Sequence, residues 1–253
     1  MDAPKLDVAI AYLHPGQVSA AFSLSLLKLM LHETYRTGVP PFVLANRCGA
    51  GNIVEGRNEA VAHVVDNTDC NWLLFVDSDM GFGADALERL LEVADAAARP
   101  VVGGLCFAVR RIGTDPETQA ERFGCEPTVY RWRELADRDG FEVVEDYERD
   151  AVVSVAATGA AFLLIHRSAL VRIRSRYGDH WFDRVPYAKR DASDAVVWST
   201  VFSEDISFCI RTAGVDLPLF VHTGVGTCHD KGGRFYDESE WDEQLARLPV
   251  PVA

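Results

Sequence analysis

The stretch Trp72-Leu73-Leu74-Phe75-Val76-Asp77-Ser78-Asp79 constrains this chain more than any other, because five apolar residues in a row end in two carboxylates one residue apart. The run is too short for a helix. Bounded by polar residues, it reads as a central strand covered on both faces. Strands of that kind belong to open α/β sheets, whose sites gather beyond the carboxyl ends of the strands. Two carboxylates this close repel unless a cation sits between them, and a hard divalent ion with oxygen ligands, able to carry a diphosphate, is the natural candidate. The alternative is that the two acids merely lead into the next helix. Asp85-Ala86-Leu87-Glu88 has capping-box spacing and Leu87, Leu90, Leu91 and Ala94 follow at helical intervals. Asp85 then takes the capping duty and leaves Asp77 and Asp79 in a connecting loop.

The same alternation of strand and helix runs through the first hundred residues. Residues 6–13 read as a strand broken by His14-Pro15-Gly16, and Phe22, Leu26, Leu29 and Met30 mark the inner face of a helix. Phe42-Val43-Leu44 is a second strand, followed by the loop Cys48-Gly49-Ala50-Gly51-Asn52 and a helix with Val61, Val64 and Val65 inward. Trp72–Val76 is the third strand, residues 85–97 its helix, and Val101–Leu105 a fourth strand. This βαβαβαβ order predicts a mostly parallel sheet with right-handed crossovers. Between 110 and 150 the rhythm gives way to charged residues, Pro116, Pro127 and an Asp139-Gly140 turn signal, which predict a hairpin-bearing insertion. Residues 152–156 and 162–165 resume strand character, Ser168 is placed to cap a helix, and 178–198 predicts a long surface loop. A helix from Glu204 to just before Gly214, a strand over 217–221, a short helix carrying Trp241 and a frayed end over 249–253 complete the reading.

Composition narrows the function classes. With 253 residues, 48% of them hydrophobic, the chain can bury a large core and fits one α/β domain over 1–253. Its parts by pattern are a first half over about 1–109, the insertion over 110–150, a second half over 151–233, and a tail over 234–253. A formal charge of −13 argues against a broad nucleic-acid-binding surface. No apolar run approaches the ~18 residues of a membrane span, and Met1-Asp2-Ala3-Pro4-Lys5 lacks a signal-peptide layout, so a cytoplasmic protein is expected. Six cysteines without a paired spacing read as reduced thiols. Cys228, His229 and His222 lack a fourth ligand for structural zinc.

Gly49, Gly51 and Gly56 fit neither the dinucleotide fingerprint nor the Walker lysine loop. Arg57-Asn58 at a helix start either pairs with a carboxylate or phosphate or is a surface arginine beside a capping asparagine. Ser203-Glu204-Asp205 opens a helix, so its acids either complement the helix dipole or supply the base that an incoming hydroxyl needs. Arg110, Arg111, Arg131 and Arg133 either approach an anionic ligand or pair with neighbouring acids. Trp181, Phe182, Tyr187 and Trp198 either offer stacking faces or anchor their loop to the core.

In combination these elements resemble the metal-dependent nucleotide-sugar glycosyltransferases of the GT-A fold, particularly small bacterial and phage-type, family 2-like members. The elements that carry the resemblance are His14-Pro15-Gly16, Gly56-Arg57-Asn58-Glu59, Leu73 through Met80, Ala157-Thr158-Gly159-Ala160-Ala161-Phe162-Leu163-Leu164, Ser203 through Cys209 and the late His229, in that order over residues 6–233. The resemblance implies an α/β, GT-A-like single domain: a mostly parallel central sheet flanked by helices, a Rossmann-like three-layer sandwich. It implies a metal-dependent transfer of sugar from a nucleotide-diphosphate donor, UDP-sugar favoured, to an acceptor hydroxyl. Asp77, Asp79 and His229 would hold Mn²⁺ or Mg²⁺. His14, Pro15, Arg57, Asn58, Asp77, Ser78 and Asp79 would form the donor site, and Thr158, Gly159 and Trp181 would border sugar and acceptor. Asp205 would be the base of an inverting displacement, with Glu204 orienting acceptor or sugar. His222 stands where related sequences often carry an acid, which leaves open which late histidine reaches the metal. The acceptor is open between protein, glycan or lipid-linked intermediate, and a modified DNA base. The competing readings are a nucleotidyltransferase acting on a nucleoside triphosphate and a non-catalytic sugar-nucleotide-binding protein.

Overall fold

The computed structural model of the chain describes residues 7–47, 52–114 and 118–247. Residues 1–5, Gly49 and Gly51, Pro116 and the expected frayed end 249–253 lie outside the described residues. In chain order the elements are β1 (Val8–His14), α1 (Ala20–Thr37), β2 (Phe42–Arg47), α2 (Ile53–Asn67), β3 (Trp72–Val76), β4 (Met80–Phe82), α3 (Ala86–Val93) and β5 (Val101–Leu105). Then come β6 (Phe107–Thr114), β7 (Glu121–Pro127), β8 (Tyr130–Glu134), β9 (Asp139–Val143), β10 (Val152–Ser154), β11 (Phe162–His166) and α4 (Arg167–Tyr177). The chain continues with β12 (Pro186–Arg190), β13 (Val196–Val201), α5 (Glu204–Gly214), β14 (Phe220–Lys231), β15 (Arg234–Tyr236) and α6 (Glu238–Ala246).

The main sheet has the order β10-β14-β5-β11-β3-β1-β2, with β4 and β15 pairing on the far end of β14. β2, β1 and β3 run parallel, as do β5 and β14. β11 is antiparallel to both β3 and β5, and β10 is antiparallel to β14. Along this path β2, β1, β3, β5 and β14 run in one direction and β11 and β10 against them, so the sheet is mostly parallel in strand direction, but β3 and β5 are not neighbours as a simple βαβ crossover implies, since β11 lies between them.

Strand alternation divides the core. Ala9, Ala11, Leu73, Phe75, Leu163 and Ile165 face α2, α4 and α5, whereas Val8, Ile10, Leu74, Val76, Phe162 and Leu164 face α1 and α3. Helices thus cover both faces of the sheet, the three-layer arrangement in which an unbroken apolar strand such as Trp72–Val76 is stable. β5 and β14 lie so close that a side chain on Gly104 would meet the Val225 carbonyl oxygen at 2.9 Å.

Several local expectations are corrected. The segment 178–198 is not a loop throughout, because β12 and β13 pair as a hairpin. The insertion holds two hairpins, β6–β7 and β8–β9, and Asp139-Gly140 begins β9 rather than forming its turn, which is closed by Leu135 N–H donating to Arg138 O at 2.8 Å. α4 is capped by the His166 ring accepting from Ser168 N–H, so Ser168 sits in the first turn. α3 ends at Val93, and Asp85 is its N-cap without a side-chain bond. The strand expected over 217–221 extends to Lys231, which places His229 in a ladder with β4 instead of a loop. Arg110, Arg111, Arg131 and Arg133 pair with Glu126, Glu121 and Glu142. Cys70, Cys106, Cys125 and Cys209 are buried free thiols. Among the described residues no helix is long and apolar enough to cross a membrane.

Candidate functional site

β3 ends where its side chains leave the core, and the next three residues are pinned from three directions. Asp77 N–H donates to Ala161 O at 2.9 Å, Ser78 O accepts from Ser19 N–H at 2.9 Å, and Asp79 O accepts from Asp230 N–H at 2.7 Å. The loop therefore cannot drift relative to β11, the start of α1 or the end of β14. It forms one wall of a cavity of about 650 Å³, whose other walls include Pro15, Ser19 and Ala20 at the N-terminus of α1, Ile53 at the start of α2, and Lys231, Gly232 and Gly233 after β14. Two helix N-termini bordering one cavity favour an anionic ligand there.

Asp79 faces two cationic or hydrogen-bonding groups from β14. His229 Nε2 lies 3.1 Å and Lys231 Nζ 2.7 Å from Asp79 Oδ2. Burial works to raise the Asp79 pKa, but the bonds from His229 and Lys231 outweigh it and hold the carboxyl at about 2. His229 Nδ1 lies 3.2 Å from Phe107 O. A carbonyl only accepts, so Nδ1 carries the proton of that bond; Nε2 then donates to Asp79 in the doubly protonated ring and, in the neutral ring, is the nitrogen with a lone pair for an ion.

Asp77 turns the other way. Its Oδ1 accepts from Arg57 Nη2 at 3.0 Å, and the same nitrogen lies 3.9 Å from Glu204 Oε1. Arg57 is 2% exposed and sits between aromatic rings, its guanidinium carbon 5.6 Å from the Phe75 centroid and 5.4 Å from that of Phe182. Nε and Nη1 have no partner among the described residues. A single buried cation thus bridges the acid loop after β3 and the acidic start of α5.

Asn58 holds Phe182 in place, its Oδ1 accepting from Phe182 N–H at 2.9 Å and its Nδ2 donating to Asp183 Oδ1 at 2.6 Å. Asp205 Oδ1 accepts from the Ser203 hydroxyl and from Ile206 N–H, while Oδ2 has no hydrogen-bond partner among the described residues. Thr158 packs against α5, whereas Gly159 faces the Thr128 side chain. Thr158 is buried, its N–H donating to Cys209 Sγ at 3.5 Å and its carbonyl accepting from that thiol at 3.4 Å. Burial pushes the Cys209 thiol up to about 12, so it is a packing and hydrogen-bonding group rather than a nucleophile.

The placements separate the expected site residues. Pro15, Asp77, Ser78 and Asp79 line the cavity, His229 meets Asp79, and Arg57 ties Asp77 to Glu204. His14 does not line it; its Nδ1 accepts from Gly16 N–H at 3.2 Å. Trp181 is wholly buried and donates from Nε1 to Leu170 O, so it anchors its segment to the core and presents no stacking face. His222 lies toward the opposite end of β14, its Nδ1 accepting from Gly224 N–H, and is not paired with Asp79. Ser19, Ile53 and Asp230 escaped the sequence reading, as small or ordinary residues brought in by topology. Lys231 alone carried a signal, following His229 ahead of two glycines.

No family model and no curated protein matches the chain by sequence. Among solved structures it is similar to GalNAc-T7 with UDP, GalNAc and Mn²⁺, at a TM-score of 0.53 and 9% identity over 92% of this chain and 45% of that one. Its fold is that of a GT-A glycosyltransferase. A197 from STIV is also similar, at a TM-score of 0.48 and 14% identity, covering 92% of this chain and 91% of that one. The chain thus spans less than half the length of the GalNAc-T7 structure.

Mn²⁺ or Mg²⁺ is the ion such a fold implies, and the residues can be tested against it. Two adjacent ligands of an octahedral ion at ~2.1 Å stand about 3.0 Å apart, and Asp79 Oδ2 and His229 Nε2 are separated by 3.1 Å. A carboxylate and a backbone-oriented imidazole suit such an ion. Among the described residues no three His, Cys, Asp or Glu side chains converge, because Asp77 is turned onto Arg57. The donor set fits an ion that takes its remaining ligands from a diphosphate and water.

Proposed function

We propose that the chain is a metal-dependent glycosyltransferase that uses a nucleotide-diphosphate sugar, with a UDP-sugar as donor, and that the whole of 1–253 serves this reaction. The observation that supports the reading best is the Arg57 bridge. It joins two acidic motifs far apart in sequence at the carboxyl end of β3, beside a cavity bordered by helix N-termini. The GalNAc-T7 structure, which carries UDP and Mn²⁺, supports the choice of donor and ion.

Asp79 and His229 would hold the ion, and Arg57 keeps Asp77 oriented at the cavity wall. When bound there, the ion would supply Lewis-acid stabilisation of the departing nucleoside diphosphate. Lys231 and the N-terminus of α1 add fixed positive potential where that negative charge develops. Asp205, through its unengaged Oδ2, takes the proton of the acceptor hydroxyl. The acceptor oxygen forms the new bond to the anomeric carbon, and the electron pair of the broken sugar–phosphate bond leaves with the diphosphate, inverting the anomeric centre. Glu204, held near Arg57, orients acceptor or sugar.

Thermal shift of the purified chain against UDP-, GDP-, CMP- and dTDP-sugars and nucleoside triphosphates, each with and without Mn²⁺, tests the proposal. Mn²⁺-dependent stabilisation by UDP-sugars is expected. A response to triphosphates alone, with pyrophosphate release, would replace it by nucleotidyl transfer.

A further inference from the structure

A second cavity, of about 390 Å³, lies between α5 and the β8–β9 and β12–β13 hairpins. That volume falls in the ~300–1,000 Å³ range of small-molecule sites. Its wall is apolar, with Trp132, Phe141, Tyr187 and Phe202 from the hairpin side and Ile210 and Ala213 from the helix. The rings support one another edge to face, Trp132 lying 5.0 Å from Phe141 and 5.7 Å from Tyr187, and Phe141 5.5 Å from Phe202.

Besides the Ser154 hydroxyl, the charged groups nearest its rim are already paired. The Tyr187 hydroxyl donates to Asp139 Oδ2 and Lys189 Nζ to Asp139 Oδ1, both at 2.6 Å, and Arg133 pairs with Glu142 at 2.9 Å. A ligand bearing a carboxylate or phosphate in this cavity would find those cations engaged, and burying its charge would be costly. An uncharged apolar group meets no such penalty.

Its position relates it to the chemistry. Cys209, which also lines the cavity, and Ala213 follow Asp205 at i+4 and i+8, on one face of α5, with rises of about 6 and 12 Å. Phe202 lies three residues before Asp205. The cavity therefore lies one to two turns along α5 from the proposed base, on the helix face that carries it.

Resting on the glycosyltransferase reading, we propose that this cavity is the acceptor subsite and takes an uncharged apolar ring carried by a short spacer from the hydroxyl that Asp205 deprotonates. The acceptor is then an apolar alcohol rather than a phosphate-headed or acidic molecule.

The test uses the full chain labelled with 5-fluorotryptophan, whose five tryptophans give separate ¹⁹F signals. The Trp132 signal is assigned by Trp132→Phe, and 4-phenylbutan-1-ol is titrated against 4-phenylbutyrate. The alcohol is expected to shift the Trp132 signal and leave Trp72 and Trp241 unmoved, with the carboxylate at least about ten-fold weaker. Ala213→Trp, which fills the cavity, is expected to weaken the alcohol at least about ten-fold and to leave Mn²⁺–UDP binding unchanged. With UDP-sugar present, the alcohol accelerates UDP release in the wild type and not in Ala213→Trp. Intact Mn²⁺–UDP binding with no Trp132 response, or equal response to the carboxylate, overturns the subsite while the donor reading stands. A Trp132 response without binding of any nucleotide-sugar overturns the acceptor role through failure of the reading beneath it.

Discussion

Replacing Arg57 by methionine tests the geometry on which the site depends. At 3.0 Å from Asp77, and with an effective dielectric of about 20, the Coulomb attraction is roughly 5 kcal/mol. Removing one partner of a fully buried pair costs about 3–5 kcal/mol. Asp77 is 31% exposed, so water recovers part of that loss. The unpartnered Nε and Nη1 mean that some desolvation penalty disappears with the cation. Loss of the contacts to Phe75 and Phe182 adds ~0.5–2 kcal/mol, while methionine keeps the stem volume between the rings. The sum is a destabilisation of about 2–4 kcal/mol. Urea unfolding should show it as a lower midpoint at unchanged slope. In a double-mutant cycle with Asp77→Asn, the pair should couple by about 1–3 kcal/mol. Destabilisation below about 0.5 kcal/mol, or additive single mutants, would refute the bridge.

Asp205→Asn should retain Mn²⁺–UDP-sugar affinity and lower kcat by about 10²–10⁴, as read by UDP release with acceptor present; unchanged turnover removes Asp205 from the base role. Asp79 titrates at about 2 in the folded chain against an ordinary value of about 3.9. Its folded pKa is depressed, so its stabilisation is present above pH about 4 and is lost as pH falls toward 2. Unfolding midpoints across that window should fall less steeply for Asp79→Asn. Trp181→Phe should cost about 1–2 kcal/mol by removing the indole donor to the Leu170 carbonyl and part of a buried ring, with kcat/KM unaltered; a fall in kcat/KM without a fall in stability would return Trp181 to the sugar site.

What could be read from the sequence was what local pattern and burial dictate together. Trp72–Val76 and Val101–Leu105 are unbroken apolar runs, and each forms a central strand with the expected ends. Ser203-Glu204 marked the start of α5 because polar caps and a 3.6-residue apolar period coincide there. The insertion of β11 between β3 and β5 is a non-local pairing that no local period encodes. The β12–β13 hairpin was missed because both strands are largely solvent-facing, β12 mixing apolar and charged residues and β13 exposing Val196, Val197 and Val201, which leaves no clean alternation. The burial of Arg57 ran against the usual exposure of arginine; it depends on two rings and an acid that meet only in the folded chain. His229 was picked out by family resemblance, but its contact with Asp79 depends on β14 running on to pair with β4.

Pulsed EPR of Mn²⁺ bound to the chain with UDP addresses the central claim most directly, since it reports the nuclei around the ion. The account predicts ³¹P coupling from the diphosphate together with imidazole ¹⁴N coupling that disappears in His229→Ala and persists in His222→Ala. Mn²⁺–UDP giving ³¹P coupling but no imidazole nitrogen, or a nitrogen signal that survives His229→Ala, would contradict it.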